Sequence, residues 1–488
     1  MRRLKQDFGQ TGMAMDVTRR NFLGQHAGNV GLLALAALLG EERRGLGTEP
    51  GQSPASVPNA RAKSVICLFQ NGGPSQMDLF DPKPELTRWH GKPYPGGELE
   101  THFDKQKGNV LGSPYKFRQC GQSGMELCEL LPHTAKIADD ILLIRSMSTN
   151  SVDHEAALRM IHSGRLFAGM PTWGSWVTYA LGSMNQNLPA YVVLSDPGGL
   201  PIDGEKNWSS GWLPAVYQGT VFRAGKSPVL NLQSPPGVST KVRQNQLRYL
   251  EKLNRSQALR YPENSELTAR ISNFETAARM QTAVPRLLDL ADETADTRHQ
   301  YGLDNPAIEE YGARCLTARK LVEEGVRFVG VYMNGQPWDT HSKNAESLKG
   351  LCARTDQPSA ALVKDLKQRG LLESTIVIWT GEFGRLPISQ GTDGRDHNRH
   401  AFSLWIAGGG FKQGLVYGAT DPFGYQAVEN IVSVNDLHAT LLSALGLDHT
   451  RLTVPYDGRE TSLTDAEVTD ARIISELISI GGGLAAGS

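Results

Sequence analysis

Apolar residues along the chain follow two different periods, one typical of buried strands and one typical of helices. Strand-length apolar runs occur at residues 63–70, 189–195, 326–333, 374–380 and 401–409, and a further one ends the stretch 131–147. Helical patterns occupy most of 264–325, all of 359–372 and 434–446, and the start of 131–147. Because strands and helical segments alternate, the sequence predicts an α/β fold with a mainly parallel central sheet and helices on both faces.

Polar sequences follow several of these runs at the point where each predicted strand ends. They are NGGPSQMD at 71–78, WDTHSKN at 338–344, TGEFGR at 380–385 and GRDHNRH at 394–400. Open α/β sheets build their ligand sites at the carboxyl ends of strands, so these segments can converge on one crevice. Convergence would bring together Asn71, Asp78, Asp339, His341, Glu382, Asp396 and His397.

This set of residues is typical of a site for a divalent cation. It combines carboxylates with imidazoles and contains no cysteine, which favours a hard or borderline metal: zinc, calcium, magnesium or manganese. A single Asp-x-His, such as Asp339 and His341, is more often an ordinary loop hydrogen bond, but four such clusters at strand ends favour metal binding. Arg385 and Arg395 could clamp an anionic substrate through bidentate contacts, and salt bridges account for either residue equally well.

The charge balance argues against one class of partner. The chain has 50 Lys and Arg residues against 51 Asp and Glu residues, a formal net charge of -1. No overall basic field is therefore present to attract nucleic acid. The five cysteines form no CxxC pair; Cys120 and Cys128 could pair across a short loop, although buried free thiols are the favoured interpretation.

The amino-terminal residues have the layout of a twin-arginine export signal. The sequence TRRNFLGQ at 18–25 precedes the apolar run GLLALAALLG at 31–40. That run is too short to span a bilayer, which requires about 20 residues. A chance arginine pair on a short amphipathic helix is the alternative. We expect residues 1–46 to be the signal region and residues 47–62 a linker, and the protein to be periplasmic or secreted, with no permanent membrane span and with the twin-arginine translocase as its partner during export.

Several motifs together resemble one protein family. Residues 131–165 resemble the sulfatase segment that leads through a helix and a strand to the nucleophile loop, and STIVIWTGEFGR is similar to the sulfatase strand that ends in Ser-Asp-Asn/His-Gly. With the export signal, GGPSQMDLFD, WDTH, GRDHNRHAFSLWIAGGG and the late helix VNDLHATLLSALGLD, the chain resembles the family named domain of unknown function 1501. This family is a sulfatase-like branch of the alkaline phosphatase and arylsulfatase superfamily.

The resemblance implies a three-layer alkaline phosphatase-like fold over residues 63–460, with residues 461–488 as a carboxyl-terminal tail. It also implies a metal that polarises a sulfate or phosphate ester, with an anionic small molecule or glycan ester as substrate. By position in the motifs, the implied metal ligands are Asn71, Asp78, Asp339, His341, Glu382, Asp396 and His397. The chain departs from the family pattern at Phe383, where His or Asn is expected, and at Asn71, which is a weaker ligand than Asp.

The nucleophile is the largest departure. The family pattern places it near Asp153 or His154, where the CxPSR sequence of formylglycine enzymes is absent. His154 could attack, transfer a proton or bind metal, and a metal could instead activate a nearby hydroxyl. These hydroxyls belong to Ser146, Ser148, Thr149 and Ser151. The sequence thus leaves two hypotheses: an exported metal-dependent ester hydrolase, or a catalytically silent relative that binds an anionic glycan or a partner at the cell surface.

The export signal is tested by changing Arg19 and Arg20 together to Lys. Because the translocase reads both arginines, we expect the double variant to accumulate as precursor in the cytoplasm, detected by fractionation and immunoblotting. The matched control changes the arginine pair Arg2 and Arg3 to Lys and should leave export unchanged. Export of the Arg19/Arg20 variant at the wild-type level would contradict the assignment.

Overall fold

The computed structural model describes residues 60–223, 239–261 and 264–479. The predicted signal region, residues 1–46, lies outside these residues, as does the predicted linker up to residue 59. No helix in the part of the chain that the structure describes has the length and apolar character needed to cross a membrane.

The strands that the structure describes are numbered in chain order. They are β1 Ser64–Phe69, β2 Lys107–Val110, β3 Phe117–Cys120, β4 Met125–Cys128, β5 Ile141–Ser148, β6 Tyr191–Leu194, β7 Thr220–Phe222, β8 Phe328–Tyr332, β9 Thr375–Thr380, β10 Gly384–Arg385, β11 Ile388–Gln390, β12 His397–Asn398, β13 Phe402–Gly408, β14 Leu415–Tyr417, β15 Ala419–Thr420, β16 Ala427–Glu429, β17 Val432–Ser433, β18 Val454–Tyr456 and β19 Arg459–Thr461.

The helices are numbered in the same way. They are α1 Gln76–Leu79, α2 Pro84–Trp89, α3 His154–Ser163, α4 Trp173–Leu181, α5 Thr240–Arg260, α6 Ser265–Leu287, α7 Ala295–Gln300, α8 Glu309–Glu323, α9 Asn344–Gln368, α10 Val434–Ala444 and α11 Ala466–Thr469. Short 3-10 helices cover Asp104–Gln106, Thr134–Asp140, Gly204–Trp208, Ala215–Tyr217, Leu372–Ser374 and Ser475–Leu477.

A nine-stranded sheet forms the centre of the described fold, in the order β14-β5-β13-β9-β1-β8-β6-β7 with β17 paired to β5. Strand β1 runs parallel to both β8 and β9, with Cys67 opposite Gly330 on one side and Ile378 on the other. Strand β13 runs antiparallel to both of its neighbours, β5 and β9, whereas the other pairs of this sheet are parallel. The prediction of a mainly parallel α/β sheet is confirmed.

Two apolar layers cover the two faces of the sheet. Ile66 and Leu68 of β1 pack with α8 and α9 on one face, and Val65, Cys67 and Phe69 pack with α3, α4 and α10 on the other. Every residue of β1, β8 and β9 is buried, which explains why these strands appear as continuous apolar runs in the sequence. Complete burial of an aliphatic side chain contributes roughly 1.5–3 kcal/mol to folding, so these layers supply most of the driving force.

The segment predicted as a tail begins with packed residues. Leu463, Ile474 and Leu477 are buried in the same apolar layer as α10. The Ser479 backbone N–H donates a hydrogen bond to the Gly410 carbonyl oxygen at 2.8 Å. The packed core therefore extends past residue 460, at least to residue 479.

All five cysteines are free thiols in buried positions. Cys120 and Cys128 lie on the β3–β4 hairpin, where each faces a different residue of the partner strand, Met125 and Phe117 respectively. Burial raises the pKa of the Cys128 thiol to about 12. The interpretation of the cysteines as buried free thiols is confirmed for this structure.

His162, in the last turn of α3, is a fully buried imidazole. Its ring lies 4.6 Å from the ring of Phe69 and 5.6 Å from that of Tyr332. Neither ring nitrogen has a hydrogen-bond partner among the described residues. Burial, together with the charge of nearby His438, lowers the pKa of His162 from 6.5 to about 3. Between about pH 3 and pH 6.5, the folded protein therefore keeps this ring neutral, whereas the unfolded chain would protonate it.

This difference predicts acid sensitivity. As pH falls below 6.5 the unfolded chain binds the proton first, so the stability contributed by neutral His162 is complete above pH 6.5 and declines toward pH 3. We expect His162→Phe to reduce the loss of unfolding free energy between pH 7 and pH 4 by about 2–3 kcal/mol, measured by urea unfolding at both pH values. His299→Phe, at an exposed histidine of α7 whose pKa is raised by the contact with Asp304, is the control and should not reduce this loss. An equal loss of unfolding free energy between pH 7 and pH 4 in both variants would contradict this prediction.

Candidate metal centre

The carboxyl edge of the sheet positions the candidate site. Strand β8 leads to the loop that carries Asp339 and His341, and β9 leads to Glu382. Strand β5 leads to α3, whose first residue is His154; the preceding Asp153 caps this helix by accepting a hydrogen bond from the Ala156 N–H at 3.0 Å. Because β13 is antiparallel, the segment that precedes it starts from the same edge. That segment supplies His397.

The carboxylate of Asp339 lies at the centre of this site. Its Oδ1 atom is 2.9 Å from Nε2 of His341 and 3.1 Å from Nε2 of His397. Its Oδ2 atom is 3.3 Å from Nε2 of His154. One ligand atom from each of these four residues lies within 4.8 Å of all the others. Three imidazoles and one carboxylate thus converge from three separate segments of the chain.

The opposite nitrogen of each imidazole contacts an oxygen acceptor. Nδ1 of His154 lies 2.7 Å from Oε1 of Glu382, and Nδ1 of His397 lies 2.6 Å from the Val152 carbonyl oxygen. Nδ1 of His341 contacts the Gln390 side-chain oxygen, whose amide nitrogen is committed to Gln106. Since a carboxylate and two carbonyl oxygens can only accept, each Nδ1 carries the hydrogen and each Nε2 presents its lone pair to the centre. This is the outer arrangement typical of metal-binding histidines.

The centre is electrostatically incomplete without a positive charge. Three Nε2 lone pairs beside a carboxylate repel it unless a proton or a metal ion lies between them. Nε2 of His154 is buried and lacks a hydrogen-bond partner in the described structure. Burial lowers the pKa of His154, but the contacts with Asp339 and Glu382 outweigh it and raise the pKa to about 9. The site therefore favours a cation at this nitrogen.

The neighbouring groups respond to the same balance of burial and charge. Burial, with the Arg385 charge and His154, lowers the pKa of His397 to about 3, so its imidazole is neutral near pH 7. Burial raises the pKa of the Asp339 carboxyl, but the contacts with three histidines and the Arg385 charge hold it well below its usual range. A neutral imidazole and an ionised carboxylate are the protonation states that ligate metals. The donor set therefore fits a divalent cation.

Arg385 is completely buried and holds Asp339 in place. Its guanidinium donates to Oδ1 of Asp339 at 2.6 Å and to the carbonyl oxygens of Gly73 at 2.9 Å and Arg395 at 3.0 Å. It also contacts the carbonyl oxygens of Gly72 and Trp338. Because every nitrogen of the guanidinium is committed to the protein, its contacts favour a positioning role. Its assignment as a substrate clamp stays a prediction.

Asp78 and Arg395 form a buried ion pair beside the centre. The guanidinium of Arg395 lies 2.7 Å and 3.1 Å from the two carboxylate oxygens of Asp78, and neither residue is exposed to solvent. Burial raises the pKa of the Asp78 carboxyl, but the Arg395 charge and the hydrogen bonds from Arg395, Ser75 and Asn344 lower it overall. This pair joins the loops after β1 and β11 and lies outside the four-residue cluster.

Three further predicted ligands also lie outside that cluster. Asp396 accepts backbone hydrogen bonds from His102 and Phe103, both at 2.8 Å. Asn71 accepts a hydrogen bond from the Met333 N–H at 3.3 Å, while its Nδ2 atom is buried without a partner among the described residues. Glu382 contacts His154 instead of the centre. Direct ligation by Asp78, Asn71, Asp396 or Glu382 stays a prediction.

An aromatic edge borders the centre on the solvent side. The ring of His102 stacks at 5.0 Å on His397, and the ring of Phe103 lies edge-on at 5.2 Å from His341. Phe103 is 41% exposed, and the side chain of His341 is the most exposed of the four cluster residues, at 25%. His341 is therefore the residue of the cluster that solvent reaches most.

Four residues of the site carry no signal in the sequence. Gln390 and the Val152 carbonyl orient histidines that come from distant segments. His102 and Phe103 belong to a stretch without a regular apolar pattern, and their backbone bonds to Asp396 bring them to the site. Only the folded arrangement shows what these residues do.

The sequence of the described fold matches one protein family. Residues 62–478 match the family described as "Protein of unknown function (DUF1501)". The chain belongs to this family. The family predicted from the motifs is thereby confirmed, and the match includes most of the segment predicted as a tail. No curated protein matches the sequence.

Comparison with solved structures finds distant likenesses, among them the following three. The PsFucS1 sulfatase from Pseudoalteromonas sp. has a TM-score of 0.34 and 13% identity, over 88% of this chain and 76% of that one. A protein in the alkaline phosphatase superfamily from Vibrio parahaemolyticus has a TM-score of 0.33 and 11% identity, over 84% and 79%. The phosphonate monoester hydrolase SpPMH from Silicibacter pomeroyi has a TM-score of 0.29 and 11% identity, over 84% and 77%. Likenesses this distant do not indicate what the DUF1501 chain binds or hydrolyses.

Metal binding is tested best at the edge of the centre. Removing Asp339 would leave the buried charge of Arg385 unpaired, which costs about 3–5 kcal/mol and would confuse folding with binding. We therefore choose His341→Ala, at the most exposed ligand, and Glu382→Gln, which removes the charge behind His154. Metal affinity should fall at least tenfold in the first and by roughly 10–100-fold in the second.

The measurement is metal content by mass spectrometry after dialysis against a graded chelator. His400→Ala is the matched control, because His400 is also half-buried and paired to a carboxylate, Glu100, outside the cluster. Thermal unfolding verifies that each variant is folded. Unchanged metal content in His341→Ala would place the site elsewhere.

Proposed function

We propose that this protein is an exported, metal-dependent hydrolase of sulfate or phosphate esters. The observation that carries the proposal is the convergence of three imidazole Nε2 atoms on Asp339, each with its Nδ1 hydrogen bonded to an oxygen. A surface histidine cluster would not need three separate acceptors to fix its tautomers. The arrangement matches what a protein requires to hold a metal ion with neutral imidazoles.

The donor set favours zinc or manganese among the four candidate metals. Calcium and magnesium prefer oxygen ligands, whereas three of the four donors here are imidazole nitrogens. Four protein donors can close a zinc site, while a catalytic site needs a position for substrate. We propose that His154, Asp339, His341 and His397 hold the metal, and that substrate approaches beside His341, whose side chain is the most exposed of the four.

When bound, the cation would act as a Lewis acid that polarises the ester. The residues of the chain hold the geometry for that chemistry. Arg385 fixes the direction of the Asp339 carboxylate, and Glu382 keeps the hydrogen of His154 on Nδ1. Glu382 is itself held by the Gly72 N–H at 2.9 Å. The rings of His102 and Phe103 limit the approach of water from one side.

We propose water as the attacking group. Of the candidate hydroxyls, Ser146 donates to the Asn430 carbonyl at 2.6 Å and Ser151 donates to the Asp153 carbonyl at 3.4 Å. The four-residue cluster found among the described residues contains no cysteine. His154 is committed through Nδ1 to Glu382, so its role is ligation or proton transfer in this proposal. In this proposal Arg385 and Arg395 position the loops, and the metal binds the anionic substrate.

The predicted export signal supports a proposal for the location and partners of the protein. We propose that the twin-arginine translocase delivers the protein to the periplasm or the exterior, where anionic small-molecule or glycan esters are the substrate class. Because the twin-arginine route exports folded proteins, the metal could be bound in the cytoplasm before export.

The proposal predicts activity that depends on the metal and on His154. Purified protein loaded with zinc or manganese should hydrolyse nitrophenyl sulfate or nitrophenyl phosphate, and His154→Ala should lower turnover by at least about a hundredfold. Metal content should fall in the same variant, because the Nε2 ligand is lost. His299→Ala, at an exposed histidine paired with Asp304, should retain wild-type activity.

Each alternative result of this experiment leads to a different conclusion about His154 or about the protein. Lost turnover with full metal content in His154→Ala would make His154 a proton-transfer group or a nucleophile. Retained turnover and metal would exclude it from both roles and return attention to the hydroxyls near Thr149. A metal-loaded wild type that hydrolyses neither ester would favour the catalytically silent binder of an anionic glycan or partner.

A further inference from the structure

Helix α5 lies at the outside of the fold and carries apolar side chains toward solvent. Its main packing partner is α6, which is anchored in the core through Met280 and Val284. On α5, Val242, Tyr249 and Leu253 are 48%, 64% and 44% exposed. These three residues are spaced by seven and four positions and lie on one stripe of the helix, whereas the exposed Leu250 and Leu259 lie on other sides of it.

A basic stripe lies beside the apolar stripe. Its members are exposed and are Lys241, Arg248, Lys252 and Arg255. Each of the three apolar positions follows a basic position by one residue, about 100° around the helix. A third side of helix α5 faces α6. It carries the half-buried residues Leu247 and Ala258. The helix contains six basic residues and one acidic residue, Glu251, which pairs with Arg255 at 2.6 Å.

We propose that α5 docks the protein on the surface of an anionic lipid membrane. The apolar stripe would enter the interface between headgroups and acyl chains, and the basic stripe would contact lipid phosphates. The helix would lie in the plane of the interface, consistent with the finding that no described helix is apolar enough to cross a membrane. This inference is independent of the metal centre and of the proposed activity.

The charges favour a membrane over the other occupants of such a stripe. A second copy of α5 would bring two strongly basic helices together, and like charges in contact oppose association. A soluble polyanion would be held by the basic stripe alone and would leave Tyr249 and Leu253 in water. An anionic lipid surface is both charged and apolar, so it uses the two stripes together.

The test is co-sedimentation of the full-length mature protein with vesicles of phosphatidylcholine, with and without phosphatidylglycerol. We expect binding only to the anionic vesicles, and loss of that binding at high salt. Arg248→Gln with Lys252→Gln should weaken binding by roughly tenfold to thirtyfold. Tyr249→Ser with Leu253→Ser should also weaken it, although both residues are exposed and the fold should persist.

Lys349→Gln with Lys367→Gln is the matched control, because it removes the same charge from exposed positions on α9. It should bind like wild type. Absence of binding to anionic vesicles, or equal binding by the control and the α5 charge variant, would overturn the proposal. So would binding that needs the basic stripe but not Tyr249 and Leu253, which indicates a polyanion site, or a dimer in sedimentation velocity that the serine variant dissociates.

Discussion

The buried carboxylate of Asp339 is the interaction on which the rest of the site depends. An ionised carboxylate removed from water costs several kcal/mol unless opposite charge and hydrogen-bond donors surround it. Here Arg385 supplies a buried positive charge and a hydrogen bond, and a proton or cation between the carboxylate and the three imidazoles would supply the rest. Arg385 in turn binds the backbone of the loops after β1 and β8, and its contact with the Arg395 carbonyl connects it to the second buried pair, Arg395 and Asp78. One charge therefore organises the loops after β1, β8 and β11.

Much of the fold could be predicted because buried strands have a simple signature. The runs at β1, β8 and β9 are apolar at every position, since helices cover both faces of the sheet. The direction of β13 could not be predicted, because an apolar run contains no information about which end lies at the ligand edge. That direction nevertheless decides where His397 lies. The packed segment after residue 460 was also missed, since its core contacts are widely spaced.

The sequence predicts which loops form the site better than it predicts which of their side chains meet there. The structure gathers Asp339, His341 and His397 as expected, and it adds His154 to them as a neighbour with a lone pair facing the centre. Asp78 and Asp396 lie on the predicted loops, but their carboxylates bind Arg395 and backbone N–H groups. Side-chain direction in a loop depends on contacts across the sheet, and sequence spacing does not encode it. His154, one of the two positions near which the sequence predicts a nucleophile, thus faces a carboxylate.

The antiparallel course of β13 has a consequence for how the chain must assemble. His154 and Glu382, which touch beside the centre, are 228 residues apart, and Val152 and His397 are 245 residues apart. Closing loops of this length costs conformational entropy before any contact forms, so contacts of this kind are made late. The centre therefore comes into existence only after β5, β8, β9 and β13 have joined the sheet. A bound metal would indicate that the chain has reached its complete topology. Damage to a strand far from the centre would first be detected as loss of the bound ion.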